Sequence, residues 1–511
     1  MASHTDSEST FGEQRRQNML SLPFVLVGSF LSIFDQFVIN VAATPISRDL
    51  NPSTTQLEGI VSGYALVYAL GLITGGRIGD RFGRRSVYRL GLALFTVTST
   101  FCGVAQSPEQ LVVARLAQGV SGAIMVPQVL ALIRVNFYRE ARVRALSWFG
   151  VSIGLGQICG QILGGLIPSW NLFHWSWRPI FLLNVPICLT AWLACSLLSH
   201  DQGNTGIKLD LVGVALSGIG CILVFIPLLG GRHTPWLSWG IASMATGVIV
   251  LIFFGNQQLR QEIHGRVPLI PFRLFDHRGY TLGVLLSIML YLAIIPFFFT
   301  LGLFLQNICN LSPWATGLTF APIGIGFIIG SAIGPSLMQR FAPGTALSVG
   351  TASTTAALLG ILGYTCLGPT KVTPSLIAAL LVFGFGNGTT LPIITGVVLH
   401  YLPVTDAGSG SAVLTTGQQL FGAIGVALTS VFVLADGVSP TSTGAYAGGL
   451  IAQTCAASAA LACALLLKHS NIDDEQKDWR EEGESGTDPT EEGESMGTER
   501  GQQPHDGRDH R

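Results

Sequence analysis

GRIGDRFGRRSVYR, residues 76–89, sets Arg77, Arg81, Arg84, Arg85 and Arg89 around a single acid, Asp80, between two long apolar runs. The flanking runs, 57–76 and 87–105, each approach the roughly 20 residues a helix needs to cross a hydrocarbon core about 30 Å thick. Lipid offers the backbone no hydrogen-bond partner, so runs of this kind must be helical. The stretch therefore reads as a short basic loop between two spanning helices, held on the cytoplasmic side by its arginines. Gly76 and Gly79 let the helix ends approach closely, and Asp80 is a fixed negative charge among cations.

The same alternation of apolar run and short polar break extends along nearly the whole chain. Of 511 residues, 49% are hydrophobic and 11% charged, and the mean hydropathy is +0.52. A soluble domain carries about 25% charged residues, so a water-facing surface of this size has too few charges to be built here. About fourteen runs of spanning length are legible: 18–43, 57–76, 87–105, 110–133, 145–168, 179–198, 209–229, 237–255, 280–305, 315–335, 344–366, 374–398, 408–434 and 446–467. Connections are short apart from Asn256 to Gly279. The first run, Met19 to Ala43, lacks a signal-peptide cleavage site and is long enough to span.

Taken alternately, the loops on one side hold Arg15, Arg16, the Arg77–Arg89 cluster, Arg134, Arg139, Arg142, Arg144, Lys208, Arg260, Arg266, Arg273, Arg278, Arg340 and Lys468. The other side holds Arg48, Arg178, Arg232 and Lys371. The imbalance makes the first side cytoplasmic, puts both termini inside and requires an even number of spans. Residues 468–511 are a different material, acidic and rich in Gly and Ser with EEGES twice, and read as a disordered cytoplasmic tail. Net charge is −1, which gives no reason to expect nucleic acid. The nine cysteines are scattered without zinc spacing, so no metal site is expected. There is no P-loop to bind a nucleotide and no HExxH, GxSxG or paired-carboxylate constellation, so neither ATP drive within the chain nor an enzyme is expected.

Polar residues inside the runs are the candidates for function. Arg115, in ARLAQGVSGA (114–123), would cost about 2.5–3.5 kcal/mol at the centre of a lipid-exposed helix. It either faces a cavity and pairs with an acid or a carbonyl, or lies near a helix end and snorkels to the interface. Asp35, in FDQFVINVAATPI (34–46), is an acid midway along the first run. It is either a proton carrier opened alternately to each side, or a structural carboxyl that pairs with Arg115 or caps a helix break. In GVSIGLGQICGQILGG (150–165), Gly156, Gly160 and Gly164 share one helix face and permit a tight crossing. Gln157, Gln161, Gln306 and Asn387 are candidates for a substrate cavity. Phe297 to Phe299 offer either a stacking surface or lipid-facing packing.

Several of these motifs resemble a known family. The spacing of Gly76, Asp80, Arg81, Gly83, Arg84 and Arg85 resembles the cytoplasmic-loop signature of the major facilitator superfamily, in which Asp and Arg form a charge relay that breaks on switching. PSLMQRF, Pro335 to Phe341, resembles a worn second copy, with Arg340 matching Arg81 and Gln339 in place of Asp80. Arg115, Gln118 and Gly119 resemble the fourth-helix motif linked to proton coupling. Asp35, Asn40, Ala42 and Pro45 resemble the first-helix signature of the fourteen-helix drug:proton antiporter branch, although Ala-Ala-Thr-Pro stands for its Ala-Leu-Pro. Gly156, Gly160, Gly164 and Gly165 resemble the antiporter motif of the fifth helix, with Gln161 where that motif has proline. WSWRPIFLLNVPI (175–187) and GSGSAVLTTGQQLFGAIGVAL (408–428) are similar to further stretches of the branch.

The resemblance covers roughly 18–467 and implies an all-α polytopic membrane protein of the major-facilitator fold. Its organisation would be a cytoplasmic segment (1–17), a six-helix bundle (18–198), two inserted helices outside the transport core with a cytoplasmic loop (199–279), a second six-helix bundle (280–467) and the tail (468–511). It implies a multi-pass plasma-membrane transporter that exports small organic molecules by alternating access around a midplane site. Asp35 and Arg115 would couple protons, the proton gradient would supply the energy and no cofactor would be needed. An uptake carrier of the same fold and a non-transporting membrane receptor are the alternatives.

Overall fold

The computed structural model describes residues 2–469 apart from 138, 172–174, 199–202, 205, 207–209, 229–235, 267, 342, 369–370, 404–405 and 435–441, with residues 2–20 described by backbone alone. The acidic tail beyond residue 469 and the loop cations Lys208 and Arg232 lie outside the described residues. Regular structure among the described residues is all helix. In order it comprises α1 (Ala2–Leu50), α2 (Thr54–Phe82), α3 (Arg84–Val104), α4 (Pro108–Asn136), α5 (Arg139–Trp170), α6 (Pro179–Leu182), α7 (Asn184–Ala194), α8 (Leu211–Phe225) and α9 (Trp236–Ile263). It continues with α10 (Arg278–Asn307), α11 (Pro313–Thr319), α12 (Ala321–Arg340), α13 (Pro343–Cys366), α14 (Pro374–Leu399), α15 (Ala407–Val433) and α16 (Thr443–His469).

Thirteen described spans are long and apolar enough to cross a membrane, and a shorter apolar helix, Pro179–Ala194, holds the remaining position. Two runs expected to be continuous are interrupted, and prolines explain both. Pro186 has no N–H for the Leu182 carbonyl, where α6 gives way to α7. Pro322 likewise has none for Leu318, where α11 gives way to α12. The long connection expected from Asn256 is shorter, because α9 continues to Ile263.

Local sequence sets the helix starts. Ser53 and Gln56 form a reciprocal capping box at α2, with the Ser53 amide donating to Gln56 Oε1 at 2.8 Å. Ser107 and Pro108 open α4 in the same spirit. The basic stretch read as a loop is mostly helix. Helix α2 runs through Phe82 and α3 begins at Arg84, leaving Gly83 alone between them at φ +90°. Only glycine adopts that angle without strain, so the chain reverses in one residue and the arginines stay on helical turns. Arg84 Nη2 reaches back one turn to Asp80 at 2.9 Å.

Helices α1 and α5 cross closely along the expected glycine face. A Cβ on Gly160 would lie 2.8 Å from the Phe34 carbonyl, and one on Gly164 would lie 2.5 Å from that of Val38. Phe297, Phe298 and Phe299 are buried, which overturns the lipid-facing alternative. Phe298 meets Phe37 edge-on at 5.0 Å, and Phe297 lies 4.2 Å from Phe383. These rings belong to one core that joins α1 and α2 to α10, α14 and α15.

The hairpin of α8 and α9 sits against the line where α2 meets α15. Phe225 is buried among Ala65 and Leu66 of α2 and Ala423 and Ala427 of α15. Phe254 and Leu269 pack with Ile73 of α2 and Ala412 of α15. At its foot, Asp210 caps α8 through the Gly213 amide at 2.9 Å and accepts from Gln258 at 2.7 Å and Gln257 at 3.1 Å. Burial opposes the charge on Asp210, but these hydrogen bonds, led by Gln258, hold its carboxyl below the ordinary aspartate value.

Candidate functional site

Arg115 lies two turns inside α4 and Asp35 lies mid-way along the apolar part of α1; both side chains are fully buried. They form an ion pair between Arg115 Nη1 and Asp35 Oδ2. Arg115 also donates to Gln118 Oε1 at 2.8 Å, to the Ile60 carbonyl of α2 at 3.1 Å and to the Asp35 carbonyl at 3.4 Å. The second carboxylate oxygen of Asp35 accepts from Asn184 Nδ2 of α7 at 2.9 Å. Ser99 of α3 completes the ring, accepting from Gln118 at 2.7 Å and Asn184 at 3.1 Å. The guanidinium lies 4.6 Å from the centroid of the Tyr64 ring and 5.6 Å from that of Phe181. A single neutral network thus ties α1, α2, α3, α4 and α7.

Burying two charges carries a desolvation penalty of several kcal/mol per ion, offset only where geometry is good and the remaining donors and acceptors are satisfied. That requirement explains the neutral amides and the hydroxyl around the pair. The snorkelling alternative for Arg115 does not hold, because its guanidinium is buried rather than at an interface. Asn184 and Ser99 were missed from sequence. Neutral polar residues are common in membrane helices and carry no signal until a charge is placed beside them.

The basic turn is a separate, half-exposed cluster. Besides the Asp80–Arg84 pair, Arg77 donates to the Pro268 carbonyl, Arg85 Nη2 to the Ser196 carbonyl at 3.2 Å, and Arg89 lies over the Trp192 ring at 4.4 Å. The Asp80 carbonyl accepts from the Asn204 amide at 2.9 Å. Arg340 lies in the last turn of α12 and is exposed.

Gln157 and Gln161 of α5 line one cleft together with Phe298, Phe320, Ile323 and Phe327. Neither polar atom of the Gln161 side chain has a hydrogen-bond partner among the described residues. Gln306 and Asn387 stand elsewhere. Gln306 Nε2 bonds the Val41 carbonyl of α1 at 3.1 Å, and Asn387 accepts from Thr354 of α13 at 3.4 Å. Glu58 of α2, not singled out in the sequence, is fully buried. A lone acid within the second apolar run was the signal that marks it.

Hydrogen bonds join the α1–α7 group to the α10–α16 group at Gln36 to Gln419 (3.1 Å), Gln306 to Val41, and the Trp314 amide to Ser169 (3.1 Å). Each lies at the middle of the bundle or toward the end that carries Asp49, away from the arginine-rich turn. At that far end Asp49 pairs with Arg178 at 2.6 Å.

A family model described as Major Facilitator Superfamily matches residues 25–426. A protein described as a probable actinorhodin transporter from Streptomyces coelicolor is 32% identical over 412 residues, 80% of this chain and 71% of that relative. The puromycin resistance protein pur8 of Streptomyces alboniger is 31% identical, with 83% of this chain and 84% of the relative covered. The cephamycin export protein CmcT of Amycolatopsis lactamdurans is 30% identical, with 80% and 83% covered. Among solved structures, a bacterial homologue of the human lysosomal transporter Spinster superposes with TM-score 0.60 at 16% identity, over 90% of this chain and 98% of that one. The xylose transporter XylE of E. coli gives TM-score 0.61 at 14% identity, over 89% and 99%. Identities this low speak for the fold alone.

Proposed function

The chain belongs to the Major Facilitator Superfamily, and from that premise we propose that it is a secondary active exporter of small organic molecules, driven by protons. The observation that carries the reading is the fully buried Asp35–Arg115 pair in the apolar interior. Its carboxylate is the one group in the network that can take a proton and so release the guanidinium. Protonating Asp35 removes the negative half of the pair and loosens α1 from α4; losing the proton restores it. Relatives named for resistance to puromycin and for export of cephamycin support the outward direction.

The crevice of about 20 Å³ where Gln157 and Gln161 meet Phe298, Phe320 and Phe327 is too small for a substrate as it stands, but widened it would set amide donors and acceptors beside aromatic faces, a lining suited to neutral or amphipathic organic molecules. On the charge pattern of the loops the arginine-rich end is cytoplasmic. The end where Gln306 meets Val41 and Trp314 meets Ser169 then faces outward, which supports the reading of an inward-facing arrangement of two six-helix halves with the α8–α9 hairpin inserted. One charge moved through 100 mV supplies about 2.3 kcal/mol, enough for more than a tenfold gradient at about 1.4 kcal/mol per decade. No cofactor is required.

The test is efflux from everted vesicles under an imposed pH gradient. Asp35→Asn should abolish uphill transport while leaving downhill exchange of substrate. Unchanged pH-driven accumulation would remove Asp35 from the mechanism, and an uptake carrier would show the opposite sidedness in the same assay.

A further inference from the structure

Glu58 lies one turn inside α2, facing the seam with α15, and has no solvent exposure. Neither of its carboxyl oxygens has a hydrogen-bond partner among the described residues. Across the seam the Ser430 hydroxyl comes close enough to interact with it, but that hydroxyl donates its hydrogen to the Val426 carbonyl at 2.8 Å and so gives the carboxyl no well-formed bond. Leu57, Ile60 and Val61 around it share an apolar core with Val426 and Val433. The charges at this end are engaged elsewhere or exposed. On α1, Arg48 is exposed and Asp49 is held by Arg178. On α4, Glu109 accepts from Gln56 at 2.5 Å, and Arg115 bonds Asp35 and the Ile60 carbonyl.

A carboxylate with no partner in such a place would cost several kcal/mol, whereas the neutral acid is tolerated. We propose that Glu58 is a second proton-binding site: a carboxylic acid that is sealed in the α2/α15 seam while this end is shut, and that gives its proton to water as carboxylate forms when the seam parts. The inference rests on the alternating-access reading above, but it concerns a different carboxyl. Because the open form binds fewer protons, acid on this side favours closure and alkali favours opening. Glu58 is thereby a lock between the halves, whereas Asp35 and Arg115 sit within one half. A full cycle would then move a proton on each of two carboxyls.

The experiment measures the seam directly, without substrate or gradient. Spin labels on exposed positions near the Asp49 end of α2 and α15 report their separation in the full chain, reconstituted in lipid nanodiscs. Between about pH 6 and about pH 9 the closed population of the parent protein should fall at least about twofold. Glu58→Gln should stay closed at both pH values, and Glu109→Gln, at an exposed acid of the same end, should keep the parent's response. A parent distance that ignores pH, or a Glu58→Gln protein that responds as the parent does, overturns the proposal. Should Glu58→Gln fail to fold, infrared difference spectra of Asp35→Asn between the same pH values decide. Loss of a protonated-carboxyl band at the alkaline value supports the lock, and its absence refutes it. Failure of pH-driven export with a pH-responsive seam would sink the exporter reading and leave the lock standing.

Discussion

The ion pair between Asp35 and Arg115 should behave as a unit in a double-mutant cycle on stability. Arg115→Gln alone leaves the Asp35 carboxylate buried with one described side-chain donor, Asn184 at 2.9 Å, and the Ile60 carbonyl without its 3.1 Å partner. Removing one member of a buried pair costs about 3–5 kcal/mol. Asp35→Asn alone strands the guanidinium less severely, since Gln118 and the two backbone carbonyls remain, and about 2–3 kcal/mol is expected. In the doubly substituted protein both charges are gone, so its loss should fall short of the sum by about 2 kcal/mol or more. Equilibrium unfolding by sodium dodecyl sulfate titration of the micelle-solubilised protein measures all three. The half-exposed Asp49–Arg178 pair is the internal comparison and should couple by about 0.2–1 kcal/mol. Strict additivity at Asp35 and Arg115, or coupling no larger than at the exposed pair, would refute the electrostatic account of the network.

Other substitutions separate packing from chemistry. Gly160→Ala drives a methyl to within 2.8 Å of the Phe34 carbonyl and 3.0 Å of Phe37 Cβ, so it should cost about 1–3 kcal/mol in the same titration. Gly150→Ala, with open space around it, should be neutral or stabilising by up to about 1 kcal/mol. Asp210→Ala removes the cap of α8 and should cost about 1 kcal/mol. Since the folded state holds that carboxyl below its ordinary value, the Asp210 contribution is complete above about pH 4 and fades as pH falls through the folded value. Stability of the parent and the variant should therefore converge in acid. Gln161→Ala should raise KM for pH-driven export by about tenfold, the worth of one hydrogen bond of about 1.4 kcal/mol, with proton coupling retained. An unchanged KM would place substrate elsewhere.

What the sequence made legible follows from how anomalous each residue is in its surroundings. A charge in an apolar run stands out, so Asp35 and Arg115 were visible one by one. That they bond each other across 80 positions of sequence is a fact of helix packing, which no local pattern encodes. Asn184 and Ser99 were silent for the opposite reason, since an amide or hydroxyl in a membrane helix is ordinary. The arginine turn was read as loop because basic residues suit loops and helix ends alike; only Gly83 carried the break. The family resemblance supplied the two inserted helices and placed them outside the transport core. It did not supply their position on the α2/α15 seam. The spanning parts of α8 and α9, before Asn256, are apolar on every side and present no distinguishable face, so their docking could not be read from the sequence.

That hairpin has a consequence for how molecules dissolved in the bilayer reach the interior. A protein of two rocking halves has two lateral doorways, one on each flank, through which lipid tails or lipophilic solutes can slip sideways between helices. Phe225, Phe254 and Leu269 wall up the flank beside α2 and α15. The crevice of Gln157, Gln161 and Phe298 lies instead where α5 meets α12. The rocking proposed above would then admit membrane-dissolved solutes beside α5 and α12 rather than through the flank that the hairpin covers.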